Sequence, residues 1–432
     1  MTLPTSSAAF DPQPHVATLA NGVRVLSVVL PHLASAGVSV FVRSGSAHEP
    51  RRFNGIGHVV EHMVFKGTEG RDRRRINLEA ERLGAEVNAH TDKDHTAFHL
   101  RGLAEDAVGF VHMLADLVQH ATFPEHELAS ERQVLLSELD EDEDDPMSTA
   151  FKLFDKACYG LHPVSQAVIG TRRNIERFSR DDLAGWVRQQ YTGANVIVAA
   201  AGPIDTDAIV AAAEAAFGAM PRGDENRVEA APWIGGLASR HLDGTTQAHA
   251  VLGGPIPALH EEDAASVVAA AVLGEGMSSP LMERLREERG LVYYAACSAD
   301  VYALCGQFVI EASMAPDRLD ECLSESMRLL ALQAERVDAV DLERAQRQIL
   351  VRRLRDQEHP VRLLEDAALD LFALGRVRSR AERMQRIQAV GAGDVRDAFQ
   401  RLLGAGLSVA VTGQVGRGVR DRLRDIVATA RR

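Results

Sequence analysis

The spacing of apolar residues changes period along the chain, and each change marks an element. Residues 23–30 follow the turn signal Asn21-Gly22 and read as a strand, and residues 37–43 are a second, alternating and β-branched. Residues 55–65 then shift to helical spacing and stop at Gly67. A basic run, 71–75, enters a helix that continues to Leu83 and reads as a solvated helix start. Residues 84–89 and 95–100 predict paired strands around Thr91-Asp92-Lys93-Asp94. Helices over 104–120 and 124–140 follow, the second opened by Pro124 and acidic residues. More helix to about 188, a strand at 196–201 and a helix to 217 complete the first half.

Residues 220–236 carry Pro, Gly and mixed charge without periodicity and read as a linker. A similar order then returns. A strand at 248–253 precedes helices at 261–273 and 279–288 and strands at 292–298 and 306–312. Long helices run from 316 to about 374 with a break near Pro360, then a strand at 407–412 and a last helix to 432. The repeat predicts an α+β protein of two homologous domains, 1–219 and 237–432, each a mainly antiparallel sheet packed with helices.

Composition adds limits. The 432 residues are 46% hydrophobic and 25% charged, an ordinary globular balance long enough for a sizeable core. A net charge of −13 argues against nucleic acid as partner. Cys158, Cys297, Cys305 and Cys322 are scattered without a CxxC and read as reduced thiols, not metal ligands. The first fifteen residues lack the basic and apolar regions of a signal peptide, and no apolar run reaches the ~18 residues of a membrane span. The expected location is the cytoplasm.

One helix carries candidate chemistry. His58, Glu61 and His62 stand at i, i+3 and i+4, on a single helix face. Two imidazoles with a neighbouring carboxylate suit a zinc ion with a proton acceptor beside it. If Glu61 stays off the metal, a third ligand must come from elsewhere. Glu131 and Glu138, seven residues apart on one face of the helix that starts at Pro124, are the candidates. The Val134-Leu135-Leu136 run between them indicates that part of this helix is buried. The reaction such a centre supports is metal-assisted hydrolysis of an amide.

The stretch Gly57-His58-Val59-Val60-Glu61-His62-Met63-Val64-Phe65-Lys66-Gly67-Thr68 resembles the signature of the pitrilysin-type, or inverzincin, metallopeptidases of family M16, and the resemblance extends over essentially the whole chain. It implies one zinc ion per chain, bound by His58, His62 and Glu138, with Glu61 as general base and Glu131 supporting a zinc-binding histidine. Leu83 to Thr91 resembles the family strand with an Asn-Ala-x-Thr end, which implies that the substrate lies as an added strand at Asn88, Ala89 and His90. His90 stands where many relatives carry an aromatic. His162-Pro163 and Ile169-Gly170-Thr171 resemble a structural segment. In the second half, the segments around Gly276-Met277 and Leu285 to Tyr293 resemble the family's second domain, which implies that Arg286 and Tyr293 reach a substrate site, Tyr293 being favoured over Tyr294 by spacing. The acidic run Glu138 to Asp145 reads as a solvated helix end, with attraction of basic peptides as its sharper alternative.

The resemblance further implies that the two domains form half of a clam-like chamber closed by a second chain, either another copy or a metal-less homologue. The expected activity is zinc-dependent endopeptidase action on unfolded oligopeptides or short leader peptides. A dedicated precursor-processing protease and a non-catalytic peptide-binding subunit are the alternatives.

Overall fold

The computed structural model of the chain describes residues 13–356, 358–416 and 418–429. Strands β1 (His15–Thr18), β2 (Arg24–Val29) and β3 (Ser35–Val42) lead to helices α1 (Ile56–Met63) and α2 (Arg73–Arg82) and the hairpin β4 (Glu86–Thr91) and β5 (Thr96–Leu103). Helices α3 (Ala107–His120), α4 (Glu125–Asp144), α5 (Pro146–Tyr159), α6 (Arg172–Arg177) and α7 (Arg180–Gln190) precede β6 (Val196–Gly202) and α8 (Thr206–Phe217). After β7 (Leu237–His241), β8 (Ala248–Ile256) and α9 (Ala264–Gly274), the short α10 (Pro280–Met282) runs into a π-helical turn, Glu283–Glu288. Strands β9 (Val292–Val301) and β10 (Gly306–Met314) follow, then α11 (Leu319–Glu335), α12 (Ala339–Asp356), α13 (Pro360–Leu374), α14 (Arg380–Ala389), α15 (Ala392–Ala405), β11 (Ser408–Gly413) and α16 (Val419–Thr429).

The chain folds into two α+β domains, each a mixed sheet packed with helices. Their compact units do not coincide with the halves 1–219 and 237–432. The first unit holds residues up to Ser137, 167–228 and 355–383; the second holds 138–166, 229–354 and the chain from Met384. Residues 220–236, expected as a linker, divide between the units at Val228 and Glu229. The physical reason lies in two helices. Helix α13 belongs to the second half by sequence, yet covers a face of the first sheet; α5 does the converse for the second sheet.

The first sheet has the order β1-β2-β6-β3-β5-β4, with β2 and β6 parallel and the other neighbours antiparallel. Every residue of β6 is buried, as a central strand covered on both faces requires. On one face Ile197, Ala199, Ala201, Phe41 and Ala97 meet Leu364, Ala367, Ala368 and Leu371 of α13. The alanines and Gly37 let α13 come close: a Cβ at Gly37 would stand 3.3 Å from the Pro360 Cβ. The other face carries Phe98, whose ring packs near Phe65 just after α1, and helices α1 and α3 contact the sheet there.

The second sheet has the order β7-β11-β8-β10-β9, again with one parallel pair, β11 and β7. Its core joins α9, α11, α15 and α16 to one face, while α5 lies against β11, β8 and β7. Thr412 Oγ1 donates to the Pro146 carbonyl at 2.6 Å, tying β11 to the start of α5.

Several expectations need adjustment. Strands β1 and β7 leave no signal in the sequence, because both are short and show no apolar alternation. Strand β4 extends to Thr91 rather than ending at Ala89. The helix expected over 279–288 is mostly π-helical. The first twelve residues and 430–432 lie outside the described residues. No described helix is long and apolar enough to cross a membrane.

Candidate metal centre

Helix α1 is placed by its entry loop. Gly55 adopts a left-handed φ of 95°, and a Cβ there would come within 2.7 Å of the Gly170 Cα. This gives the Ile169-Gly170 segment its structural role. The buried carboxylate of Glu49 accepts from the backbone N–H groups of Gly55 (2.7 Å) and Gly57 (2.8 Å) and from Asn54 Nδ2 (3.1 Å). It thereby satisfies donors that a helix start leaves without intrahelical partners. Burial pushes the Glu49 carboxyl up to about 8 despite these three donors. A Cβ at Gly57 would stand 3.0 Å from Glu49 Oε1, so the glycine before His58 keeps room for this cap.

Along α1, Ile56, Val59, Val60 and Met63 are buried, and His58, Glu61 and His62 form a half-buried face. The two imidazole rings meet edge to face, 4.7 Å between centroids. Burial, and then the neighbouring His62, lower the His58 pKa to about 4, which keeps its ring in the neutral form a metal ion requires. His62 Nδ1 lies 2.9 Å from Glu131 Oε1, and Lys66 Nζ lies 2.5 Å from Glu131 Oε2. Burial would raise the Glu131 carboxyl, but the hydrogen bonds from Lys66 and His62 outweigh it and hold the group below its ordinary value. An ionised Glu131 accepting from His62 Nδ1–H fixes the tautomer whose Nε2 can ligate.

Helix α4 runs without interruption from Glu125 to Asp144. Leu128, Glu131, Leu135 and Leu139 are its buried residues, whereas Val134 is exposed, so the apolar stripe is narrower than the sequence suggests. Two turns beyond Glu131, the helix presents Glu138. His58, His62 and Glu138 offer one ligand atom each, all within 4.8 Å of one another. Two imidazoles and one carboxylate are the donors of a three-ligand zinc site, and Glu131 is the outer carboxylate such a histidine uses. The residues fit zinc.

Glu61 has a partner on the neighbouring strand. Its Oε2 accepts from Thr91 Oγ1 at 2.7 Å, so the last residue of β4 orients the carboxylate. Strand β4 is the sheet's edge and pairs only with β5 among the described residues. Asn88 is exposed, with its Oδ1 accepting from the Ala89 N–H, and both lie on that edge. The His90 side chain turns to the opposite sheet face from Thr91, toward α13, where its Nε2 lies 3.2 Å from Glu365 Oε1.

In the second unit, Arg286 is exposed on the π-helical turn, with Nη1 4.0 Å from Met277 Sδ. The β9–β10 register pairs Ser313 with Tyr294 and Met314 with Val292, which leaves Tyr293 as the extra residue of a β-bulge. Tyr293 is 65% exposed. Tyr294 instead donates its hydroxyl to Glu311 Oε1 at 2.9 Å.

Three residues without an assigned role in the sequence reading emerge here: Glu49 as the cap of α1, Lys66 as the cation on Glu131, and Thr91 as the donor to Glu61. Lys66 and Thr91 stand inside stretches already singled out, so their position was visible and their partners were not. The basic run 71–75 is taken up in ion pairs, Arg71 and Arg75 with Glu79 of α2, Arg71 with Asp116 of α3 and Arg73 with Glu127 of α4. In the acidic run, Asp145 caps α5 by accepting from Met147 N–H and Ser148 N–H.

Comparison with known proteins gives a consistent family. The family model described as Insulinase (Peptidase family M16) matches residues 24–172, and that described as Peptidase M16 inactive domain matches 177–349. A zinc protease of Mycobacterium bovis is 32% identical over 434 residues, covering 96% of this chain and 97% of that protein. A zinc protease of Rickettsia felis is 28% identical over 401 residues, 92% of this chain and 97% of that protein. Among solved structures, a protease from Helicobacter pylori superimposes with a TM-score of 0.84 at 20% identity, over 93% of this chain and 99% of that one, which speaks for the fold. Two family models matched in tandem over most of its length, together with a near full-length relative at 32% identity, establish that the chain belongs to peptidase family M16.

Proposed function

We propose that the chain is a zinc-dependent endopeptidase that hydrolyses extended oligopeptides or short leader peptides. The observation that carries this reading is the convergence of His58, His62 and Glu138 within 4.8 Å, with Glu61 on the same helix as the two histidines and its Oε2 accepting from Thr91. Zinc, when bound by these three side chains, supplies Lewis acidity and lowers the pKa of water from 15.7 toward about 7. Glu61 takes a proton from the attacking water and returns it to the departing amine. Its bond from Thr91 engages Oε2 and leaves the carboxylate plane set for that transfer. Glu131, ionised by Lys66, keeps the His62 ring from rotating.

The open edge of β4 supports peptide binding as an added strand, with main-chain hydrogen bonds at Asn88 to His90 giving affinity and little sequence selectivity. The exposed Tyr293 hydroxyl and the Arg286 guanidinium are suited to an oxyanion and to peptide carbonyls. We assign them to the same reaction, within a chamber formed by two copies of the chain. Mixing inactive Glu61→Gln and Tyr293→Phe chains tests the assembly, because regained activity requires the two residues to act across copies.

The central test is Glu61→Gln. This variant retains its metal and loses about 10²–10⁴-fold in hydrolysis of an internally quenched peptide, the contribution of a general base. A variant that cuts at the parental rate overturns the assignment.

A further inference from the structure

We propose that His90, His95 and Glu365 form a second transition-metal site, on the face of the first sheet opposite α1. The three donor atoms already stand at ligand spacing. His90 Nε2 lies 3.2 Å from His95 Nε2 and 3.2 Å from Glu365 Oε1, and His95 Nε2 lies 3.7 Å from Glu365 Oε1. A tetrahedral ion with metal–ligand bonds of about 2.0–2.1 Å puts its ligands about 3.3 Å apart. These residues also offer ligand atoms within 4.8 Å of one another, as the α1 cluster does.

The surroundings complete the design. His95 is nearly fully buried, and its Nδ1 lies 2.9 Å from Asp94 Oδ1. His90 Nδ1 lies 3.3 Å from His99 Nε2, and His99 Nδ1 lies 2.7 Å from Ser39 Oγ. One set of tautomers satisfies all of these contacts. His95 donates Nδ1–H to Asp94, His90 donates Nδ1–H to His99, and His99 donates Nδ1–H to Ser39. In that set the Nε2 lone pairs of His90 and His95 and an oxygen of Glu365 all converge on one point. Three acceptors meeting at one point need a positive charge among them, either a proton carried on a histidine Nε2 or a metal ion in its place, and the ligand spacing suits the ion. A histidine bonded outward to a carboxylate is the arrangement metal-binding imidazoles use. Two nitrogens and one oxygen select a zinc-type ion over magnesium or calcium, which prefer all-oxygen sites.

The position gives the site a consequence. Successive residues of a strand face opposite ways. In β4, Thr91 reaches Glu61 on the α1 face, while His90 reaches Glu365 of α13 on the other. An ion at the second cluster therefore pins the end of the edge strand to α13, directly behind the residue that orients Glu61.

Cobalt(II) and zinc(II) titrations of the full-length, chelator-stripped protein test this, read by visible absorption and by metal analysis after dialysis. The parent binds two equivalents per chain. The His58→Ala/His62→Ala variant binds one, and adding Glu365→Gln to it leaves none. Glu365→Gln alone binds one and keeps the α1 cluster intact, so failure here is distinct from failure of the proposed peptidase site. A parent that binds a single equivalent, lost in the His58→Ala/His62→Ala variant and kept in Glu365→Gln, overturns the proposal. An equivalent that survives in the triple variant overturns it as well.

Discussion

Helices α1 and α9 occupy equivalent places in two sheets of the same connectivity. Each follows the strand next to the parallel pair, β3 or β8, and each packs on the sheet's edge strand, β4 or β9. Their side chains differ completely. Helix α9 reads AASVVAAAVLG and buries Ser266 and Val268 to Leu273 in the core. Helix α1 buries four apolar residues and Gly57, and gives its remaining face to His58, Glu61 and His62. The architecture thus forms around an inert helix as readily as around a chemical one. On this comparison the proposed metal centre is an addition to the fold, and the fold is expected to stand without it.

That inference can be broken by removing the centre. His62→Ala takes away one ligand and the partner of Glu131. It is expected to abolish hydrolysis and bound metal at the α1 cluster while the far-ultraviolet circular dichroism and cooperative melting persist. A variant that loses its fold with its metal would make α1 unlike α9 in a way the comparison does not allow. The second unit has a smaller chemical share to test. Tyr293→Phe removes a single oxyanion donor and is expected to cost about 10²–10³-fold in kcat. Tyr294→Phe, whose hydroxyl is spent on Glu311, should leave kcat within about twofold, since exposed hydrogen bonds contribute little net. Equal losses in the two variants would remove the special standing of the bulge. Smaller again is Glu131→Gln, which keeps the shape and loses the charge that orients His62. It should weaken zinc about 10–100-fold, measured by chelator competition.

The comparison also marks what was legible in the sequence. The i, i+3, i+4 spacing alone puts His58, Glu61 and His62 on one face, because helix geometry is local. Glu131 and Glu138 stand out together because they share a helix face, and the family resemblance gives Glu138 the ligand role. The two-domain α+β plan was legible from the repeated order of periods. The swap of α5 and α13 was not: amphipathic spacing tells which side of a helix is buried, not which sheet buries it. The same limit hid Glu365 as a partner of His90 and His95, since that meeting depends on α13 crossing to the first sheet. The π-helical turn carrying Arg286 was read as ordinary helix, because its residues fit both hydrogen-bond patterns. The Tyr293 bulge depends on register with β10, which spacing within β9 does not encode.

The finest test of the difference between the two edge strands lies at Thr91. Its hydroxyl is the contact that joins β4 to the chemistry of α1. Thr91→Val preserves the branched shape and the main-chain pairing with Thr96 while deleting the donor to Glu61 Oε2. A hydrogen bond of this kind is worth about 0.5–1.5 kcal/mol, so kcat should fall about two- to tenfold. Metal content should stay at the parental value, because Thr91 is not one of the three ligands. KM should also hold, since substrate at this edge meets backbone rather than the Thr91 side chain. A fall in kcat with unchanged KM and metal content would make β4 an active partner of α1, a relation that β9 does not have to α9. An unchanged kcat would instead mean that α1 alone orients its base, and the edge strand would be reduced to a place for the peptide to lie.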